Sequence, residues 1–150
     1  LKTGPYREDA LLPIESRSQI EAFKKGQEIH SLHYAGRAGI DVINLRIGSS
    51  FEKPPNYRGL ASWMSPADTA RLVEASLSDN AKGVHTGWGI SKNTRAWWSG
   101  AEGAAIGYRP MEDAEQFAEE FLAEHEWTFD DPILQRVGGA FCDHPLGKRM

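Results

Sequence analysis

Two polar side chains that could hold an anion follow the first strong strand pattern in the sequence. Ser49 comes directly after the glycine that ends a strand predicted for residues 41–47, and Arg58 lies further on in a loop rich in Pro and Asn. In open α/β sheets, ligands bind outside the carboxyl ends of the strands. A planar guanidinium there can hold a carboxylate or a phosphate through two parallel hydrogen bonds. The pattern therefore indicates an anion site, with a surface arginine behind an ordinary strand as the alternative.

Other side chains with catalytic or ligand-binding chemistry form weaker patterns. His30 and His33 share one helix face with Glu28, but no further ligand is signalled, so no metal site is predicted. Trp97 and Trp98 could stack on a sugar ring, although an aromatic pair more often closes the edge of a core. An aspartate and a histidine near the carboxyl end have no nucleophile motif beside them, which favours a structured tail over acid–base chemistry.

Composition and charge exclude several classes of partner. The chain has 150 residues, a net charge of −4 and 25% charged residues, so a broad basic surface for nucleic acid is not expected. Its apolar runs are too short to span a membrane. The single Cys142 cannot form an internal disulfide, which makes a reducing cytoplasm the expected location. Because the sequence opens on Leu1 with an interior-like segment, we expect a fragment or a chain whose other half lies elsewhere.

The elements that must position these side chains begin with a helix and a strand. A helix is predicted for residues 18–38, ended by Gly36 and Gly39, and its weak apolar stripe consists of Ala22, Gly26, Ile29 and Leu32. The strand at 41–47 has a predicted buried face that consists of Ile43, Leu45 and Ile47. A glycine–serine turn is predicted after it, at residues 48–50. A helix that feeds a strand through a short glycine turn is half of a parallel crossover unit.

The clearest helix start in the sequence belongs to residues 66–78. Ser65 can cap this helix, Pro66 suits its first position, and Asp68 completes a capping-box spacing. Its predicted buried face consists of Thr69, Leu72, Val73, Ser76 and Leu77. The remaining predicted elements are a strand at 83–90, a loop that contains Gly100, Gly103 and Gly107, and a helix at 111–124. Helices and strands thus alternate, as α/β folds require.

Nearly the whole chain, from Glu8 to the end, resembles the carboxyl-terminal part of an extended short-chain dehydrogenase. The order and spacing of several motifs carry the resemblance: REDALLP, the pair Lys24 and Glu28, NLRIGSS, NYRGLASWMSPADTARLVEA, GWGIS, AWW, IGYRPMEDAEQF and GGAFCDHP. Within this superfamily of NAD-dependent epimerases, dehydratases and dehydrogenases, the motifs look most like those of the uronate dehydrogenases.

The resemblance implies a fold and a reaction. The fold would be α/β, the carboxyl-terminal part of a Rossmann-like domain that lacks the amino-terminal nucleotide-binding half. Residues 1–150 would form a single domain or a fragment, in which residues 18–50 complete the Rossmann-like core and residues 51–150 form the substrate-binding and carboxyl-terminal part. The reaction would be oxidation of a hexuronic acid at its anomeric carbon to the lactone, with hydride passed to NAD.

The resemblance also assigns roles to individual residues. Ser49 would contact the substrate, Arg58 would grip its carboxylate, and Phe141 would line the pocket. Ile47 and Gly48 would lie close to the cofactor. The first two of these roles agree with the anion site that the strand pattern indicates by itself.

Two parts of the dehydrogenase machinery depart from the family pattern. Lys24 occupies the catalytic lysine position and could also hydrogen-bond the cofactor ribose, with a solvated helix lysine as the alternative. The tyrosine expected four residues earlier, which acts as general base once the lysine lowers its pKa, is Ile20. The glycine-rich turn that binds the dinucleotide is also absent, since the glycines between residues 100 and 107 follow no apolar strand. Either the chemistry has been lost, or another residue acts as the base.

Three functions stay open at this point. The first is an NAD-dependent sugar-acid dehydrogenase, and the second is an inactive binding or regulatory homologue, which Ile20 favours. The third is a nucleotide-sugar epimerase or reductase, in which Arg58 would meet a phosphate. The expected partner is a small-molecule sugar acid rather than nucleic acid or a membrane. A homo-oligomer and a separately supplied amino-terminal half are the other partners left open.

Overall fold

Helices and short strands alternate along the chain. The computed structural model describes residues 19–124, 126–128, 130–131 and 133–139, with the backbone alone for 19–24. The helices are α1 (Gln19–Ala38), α2 (Gly59–Ser62), α3 (Pro66–Ser76), α4 (Ala101–Ala105) and α5 (Ala118–Leu122), the last preceded by a 3₁₀ turn at Ala114–Phe117. The strands are β1 (Val42–Ile47), β2 (Ser49–Ser50), β3 (Trp63–Met64) and β4 (Val84–Gly89). None of the helices in these ranges combines the length and the apolar character needed to cross a lipid bilayer.

Two parallel strand pairs form the sheets of the described residues. β1 lies beside β4, with Val42 opposite Val84 and Ile47 opposite Gly89. β2 lies beside β3, with Ser49 opposite Trp63. Parallel neighbours need a crossover connection, and α3 lies on the path from β1 to β4. The predicted α/β class is confirmed, whereas the predicted turn at 48–50 is wrong at its two serines, which pair as β2.

α1 matches the predicted helix in its bounds but not in its packing. It ends where Gly39 adopts a φ of 64° and donates its N–H to the Ala35 carbonyl at 3.0 Å. The predicted apolar stripe is wrong, because Ile29 and Leu32 are exposed. Polar bonds attach the helix to β1 instead, including one from the Ser31 hydroxyl to Asn44 at 2.8 Å.

β1 is half-buried rather than fully buried. Ile43 and Leu45 pack against a core cluster that contains Met64, as their alternation predicts. Ile47 is 43% exposed, so its place in the predicted buried face is wrong. The physical reason is that β4 covers one edge of β1 and, among the described residues, no other strand covers its second edge.

α3 starts at the predicted residue and has a different buried face. The predicted capping box is wrong at Asp68, because the Ser65 N–H donates to the Ser91 hydroxyl at 3.0 Å instead. The Ser65 hydroxyl accepts the N–H of Asp68 at 3.0 Å, and Pro66 occupies the first turn, as predicted. The buried side chains are Asp68, Leu72 and Ala75. Leu72 is buried as predicted, but Val73 and Leu77 are exposed, so the predicted face is wrong at those two positions. With Ser65 as the cap, the Asp68 side chain points into the protein. Leu72 and Ala75, four and seven residues further on, lie on the same helical face and are buried with it.

The later helices are shorter than predicted or were not predicted. The helix expected from residue 111 begins only at Ala114, because the Asp113 side chain caps it by accepting the Glu115 N–H at 2.9 Å. The loop predicted around Gly103 is wrong, since these residues form α4. Gly103 is buried there, and a methyl group on it would lie 3.1 Å from the Tyr108 ring.

Gly48 joins β1 to β2 at the tightest backbone contact of this region. A Cβ at this position would overlap the carbonyl oxygen of Ser62 and lie 2.9 Å from the Ile90 side chain. We expect Gly48→Ala to lower the free energy of unfolding by about 1–3 kcal/mol, because a backbone oxygen cannot give way as a flexible side chain can. Urea unfolding of the intact gene product measures this, with Gly100→Ala as the control because nothing lies within 4 Å of its Cβ position. Equal losses in both variants would contradict the argument.

Candidate functional site

The carboxyl ends of β1 and β4 converge on the segment that carries Ser49. The Gly48 N–H donates to the Gly89 carbonyl at 2.9 Å, which fixes the end of β1 against the end of β4. Because β2 then pairs with β3, the half-buried Ser49 hydroxyl reaches the Ser62 hydroxyl at 3.0 Å. Ser49 therefore lies at a strand end next to the last residue of α2, where open α/β sheets present ligand-binding groups.

The sequence predicts that Arg58 lies within an irregular loop. In the structure it lies at the start of α2. Its half-buried guanidinium donates to the Ser62 hydroxyl at 3.4 Å and to the Arg136 carbonyl at 3.5 Å. It also donates to the Val137 carbonyl. The two residues predicted to hold an anion, Ser49 and Arg58, thus contact the same hydroxyl.

Residues 136–139 pack directly on Arg58. Gly139 has a φ of 55°, and a Cβ there would lie 2.9 Å from Nε of Arg58. The Trp97 ring centroid lies 5.5 Å from the guanidinium carbon, within the range of cation–π attraction. These contacts limit the rotamers of Arg58, so its charge is oriented before any ligand arrives.

A row of stacked aromatic rings connects Arg58 to the sheet. Trp97 contacts Trp98, and Trp98 contacts Trp88, with ring centroids 4.9 Å apart in both pairs. The Arg46 guanidinium carbon lies 5.5 Å from the Trp88 ring at the far end of the row. All three tryptophans are buried, so the interpretation of Trp97 and Trp98 as part of a core applies to both. The row nevertheless ends on one arginine at each side.

Arg46 is held in turn by α1. Its guanidinium donates to both carboxylate oxygens of Glu28, at 2.9 and 3.1 Å, in a bidentate pair whose arginine side chain is 7% exposed. Glu28 lies one helical turn after Lys24, so the pair fixes the rotation of the helix that carries the predicted catalytic lysine. The side chains of Lys24 and Ile20 lie outside the described residues, as does Phe141. Their predicted roles stay predictions.

Two of the described tyrosines, Tyr57 and Tyr108, are poor candidates for a replacement base. Burial, together with a 2.5 Å hydrogen bond from its hydroxyl to Asp131, raises the pKa of Tyr57 to about 12. Burial and the nearby Asp68 charge raise the pKa of Tyr108, whose hydroxyl donates to the Ile90 carbonyl at 2.8 Å. A general base that works near neutral pH needs a lowered phenol pKa. Neither tyrosine therefore replaces the general base that is missing at Ile20.

Sequence reasoning missed the residues that organise this site. Ser62 follows Arg58 at i+4, a spacing that places two side chains on one helical face, but α2 is too short for a periodic pattern to predict it. The Val137 carbonyl is a backbone group and leaves no trace in the sequence. Within the described ranges, His, Cys, Asp and Glu side chains form no group of three that could hold a metal ion, and both His30 and His33 are exposed.

The fold of the chain is similar to that of solved dehydrogenase structures. The arrangement of parallel strands and helices matches the crystal structure of uronate dehydrogenase from Agrobacterium tumefaciens with a TM-score of 0.85 and 28% identity, over 98% of this chain and 55% of that chain. A mutant of that enzyme complexed with NAD matches equally well. The chain therefore has the α/β fold of a portion of a Rossmann-like dehydrogenase, which confirms the predicted fold class.

The similarity to known sequences is more specific. The chain is 32% identical to uronate dehydrogenase of Pseudomonas putida over 144 residues, which cover 93% of this chain and 53% of that protein. It is 34% identical to uronate dehydrogenase of Pseudomonas syringae pv. tomato over 152 aligned positions, which cover 97% of this chain and 55% of that protein. No protein-family model matches. The chain is thus similar to uronate dehydrogenases along almost its whole length, and it spans about half the length of the curated relatives it matches.

Proposed function

We propose that the protein to which this chain belongs binds a hexuronic acid and NAD and oxidises the sugar at its anomeric carbon. The observation that supports this most directly is the convergence of Ser49 and Arg58 on the Ser62 hydroxyl, in a homologue of uronate dehydrogenases. A sugar acid carries the two groups that such a pair recognises: hydroxyls for a serine and a carboxylate for an arginine. The oriented guanidinium suits a planar carboxylate.

Each proposed residue has a separate task in this reaction. Arg58 binds the carboxylate, Ser49 hydrogen-bonds the sugar, and Phe141 lines the pocket. Bound NAD would accept the hydride that leaves the anomeric carbon, while the anomeric hydroxyl loses its proton and the lactone forms. Lys24 would hold the cofactor ribose on α1 and serve the catalytic step.

The end of β1 is compatible with a cofactor beside it. Ile47 is an exposed apolar side chain at the carboxyl end of the strand, and Gly48 follows it without a side chain. An exposed isoleucine can pack against an aromatic ring, and a glycine leaves backbone accessible. On this proposal, residues 18–50 form the cofactor side of the site and residues 51–150 form its substrate side.

A second candidate is a homologue that binds the sugar acid without turning it over. The observation in its favour is Ile20 at the tyrosine position, together with the raised pKa of the Tyr57 phenol. The contacts of Arg58 serve binding equally well under either candidate, because none of them needs a proton transfer.

Calorimetric titration of the intact gene product with NAD and then with glucuronate or galacturonate tests the proposed binding. We expect both ligands to bind, and absence of sugar-acid binding in the presence of NAD would contradict the proposal. NADH formation by the same protein then separates the two candidates. Ile20→Tyr is expected to raise this rate by about 10²-fold or more, the usual contribution of general base catalysis, whereas the control Ile20→Phe is not.

A further inference from the structure

Ser62 is the point at which the two proposed substrate-binding residues meet. The side chain is 2% exposed, and its hydroxyl lies 3.0 Å from the Ser49 hydroxyl. The same oxygen lies 3.4 Å from the Arg58 guanidinium and 3.4 Å from the Arg58 carbonyl oxygen. A buried hydroxyl therefore lies between the two residues that are proposed to bind the substrate.

The donors and acceptors around this hydroxyl give the contact a direction. The Arg58 guanidinium can only donate, so Ser62 accepts from it and keeps one hydrogen to give. The Arg58 carbonyl already accepts the Ala61 N–H at 3.0 Å, and its 3.4 Å contact with Ser62 is the longer one. The Ser49 oxygen is the closer acceptor. The geometry points to a chain of donation that runs from Arg58 through Ser62 to Ser49.

We infer that Ser62 is a positioning residue for sugar-acid binding, an inference that rests on the proposed function. By donating to Ser49, it turns the hydrogen of the Ser49 hydroxyl away from the protein and toward the site, where a sugar oxygen can accept it. By accepting from Arg58, it fixes one corner of the guanidinium that holds the carboxylate. One buried hydroxyl thereby sets the distance between the two contacts that the substrate makes.

The backbone of Ser62 is fixed by contacts that do not involve its hydroxyl. The Trp63 N–H donates to the Gly59 carbonyl, and the Asn93 side chain donates to the carbonyls of Ala61 and Trp63 on either side. Ser62→Ala should therefore remove the hydroxyl and leave α2 and β3 in place.

The decisive measurement is the affinity of the intact gene product for glucuronate, with NAD present, by calorimetric titration. We expect Ser62→Ala to weaken sugar-acid binding by about tenfold. The affinity for NAD should stay unchanged, which shows that the variant is folded. Ser62→Thr keeps the hydroxyl and should recover most of the lost affinity. Ser91→Ala is the matched control, since Ser91 is equally buried but accepts the Ser65 N–H at 3.0 Å.

A double-mutant cycle with Ser49→Ala separates positioning from a merely structural role. If Ser62 acts by orienting Ser49, the double variant should lose clearly less affinity than the sum of the two single losses. Additive losses, or unchanged affinity in Ser62→Ala, would overturn the inference and leave the proposed function intact. Failure of the unmodified protein to bind glucuronate would contradict the proposed function, and the inference with it.

Discussion

Arg58→Ala is expected to weaken binding of a uronic acid by about 2 kcal/mol or more, which corresponds to about a thirtyfold rise in Kd. The guanidinium is oriented by the Ser62 hydroxyl, the Val137 carbonyl and the Trp97 ring, so the free protein already holds it in position. Losing a charged hydrogen-bond donor costs more than losing a neutral one, because the carboxylate must then shed water without compensation.

The measurement is calorimetric titration of the intact gene product with glucuronate in the presence of NAD. Arg58→Lys should fall between the parent and the alanine variant, since an ammonium keeps the charge but loses the planar fork and most of the ring contact. Equal affinity for glucuronate in Arg58→Ala and the parent would contradict the assignment of Arg58.

Arg95 offers a matched control for the loss of an arginine. Its guanidinium also covers a tryptophan, with its central carbon 5.1 Å from the Trp127 ring, and donates twice to Glu115 at 2.8 Å. Its charge is thus neutralised by a carboxylate of the same chain. Arg95→Ala should alter thermal stability and leave glucuronate affinity unchanged. A similar loss of affinity in both variants would mean that Arg58 acts through stability rather than through the ligand.

The parts of the fold that the sequence predicts are those with local signals. Gly39 ends α1 because its φ of 64° suits glycine, and Ser65 starts α3 because its hydroxyl reaches the Asp68 N–H. Both signals involve residues within one helical turn. The short elements α2, β3 and α4 carry no periodicity long enough to detect, and their existence depends on neighbours distant in sequence.

In the candidate site, too, the sequence predicts the features that depend on local signals and misses those that depend on distant contacts. A strand followed by a serine and an arginine predicts where Ser49 and Arg58 lie, since strand ends gather in α/β sheets. The link through Ser62 depends on the pairing of β2 with β3, and the tryptophan row depends on a register that sets Arg46 opposite Trp88. Neither pairing can be deduced from spacing along the chain. The inward turn of Asp68 was missed for a related reason, because its partners lie in a loop more than one element away.

Asp68→Ala is expected to lower the free energy of unfolding by about 3–5 kcal/mol, the cost typical of breaking a buried charged network. The carboxylate is fully buried and accepts the N–H groups of Met111 and Glu112 at 2.9 and 3.1 Å. It also accepts from Arg71 at 2.7 Å. Removing it leaves all of these donors without their acceptor and detaches the 111–112 loop from α3.

Thermal or urea unfolding of the intact gene product measures this loss. Asp79→Ala is the control, because that carboxylate is fully solvated just beyond α3 and its substitution should stay within about 0.5 kcal/mol of the parent. If Asp68→Ala were as mild as Asp79→Ala, the network would contribute little to stability.

The pH dependence of the same measurement follows from the sign of the pKa shift. Burial alone would raise the pKa of Asp68, but hydrogen bonds from Ser91, from the N–H groups of Met111 and Glu112 and from Arg71 outweigh it, so the pKa is lowered. A lowered pKa means that the unfolded chain takes up the proton first. The stabilisation is therefore complete above the unfolded pKa of about 3.9 and is lost as the pH falls through the lower folded value. The difference in the free energy of unfolding between the parent and Asp68→Ala should accordingly become smaller below about pH 4. A gap that stayed constant between pH 7 and pH 3 would mean that Asp68 stabilises the fold without its charge.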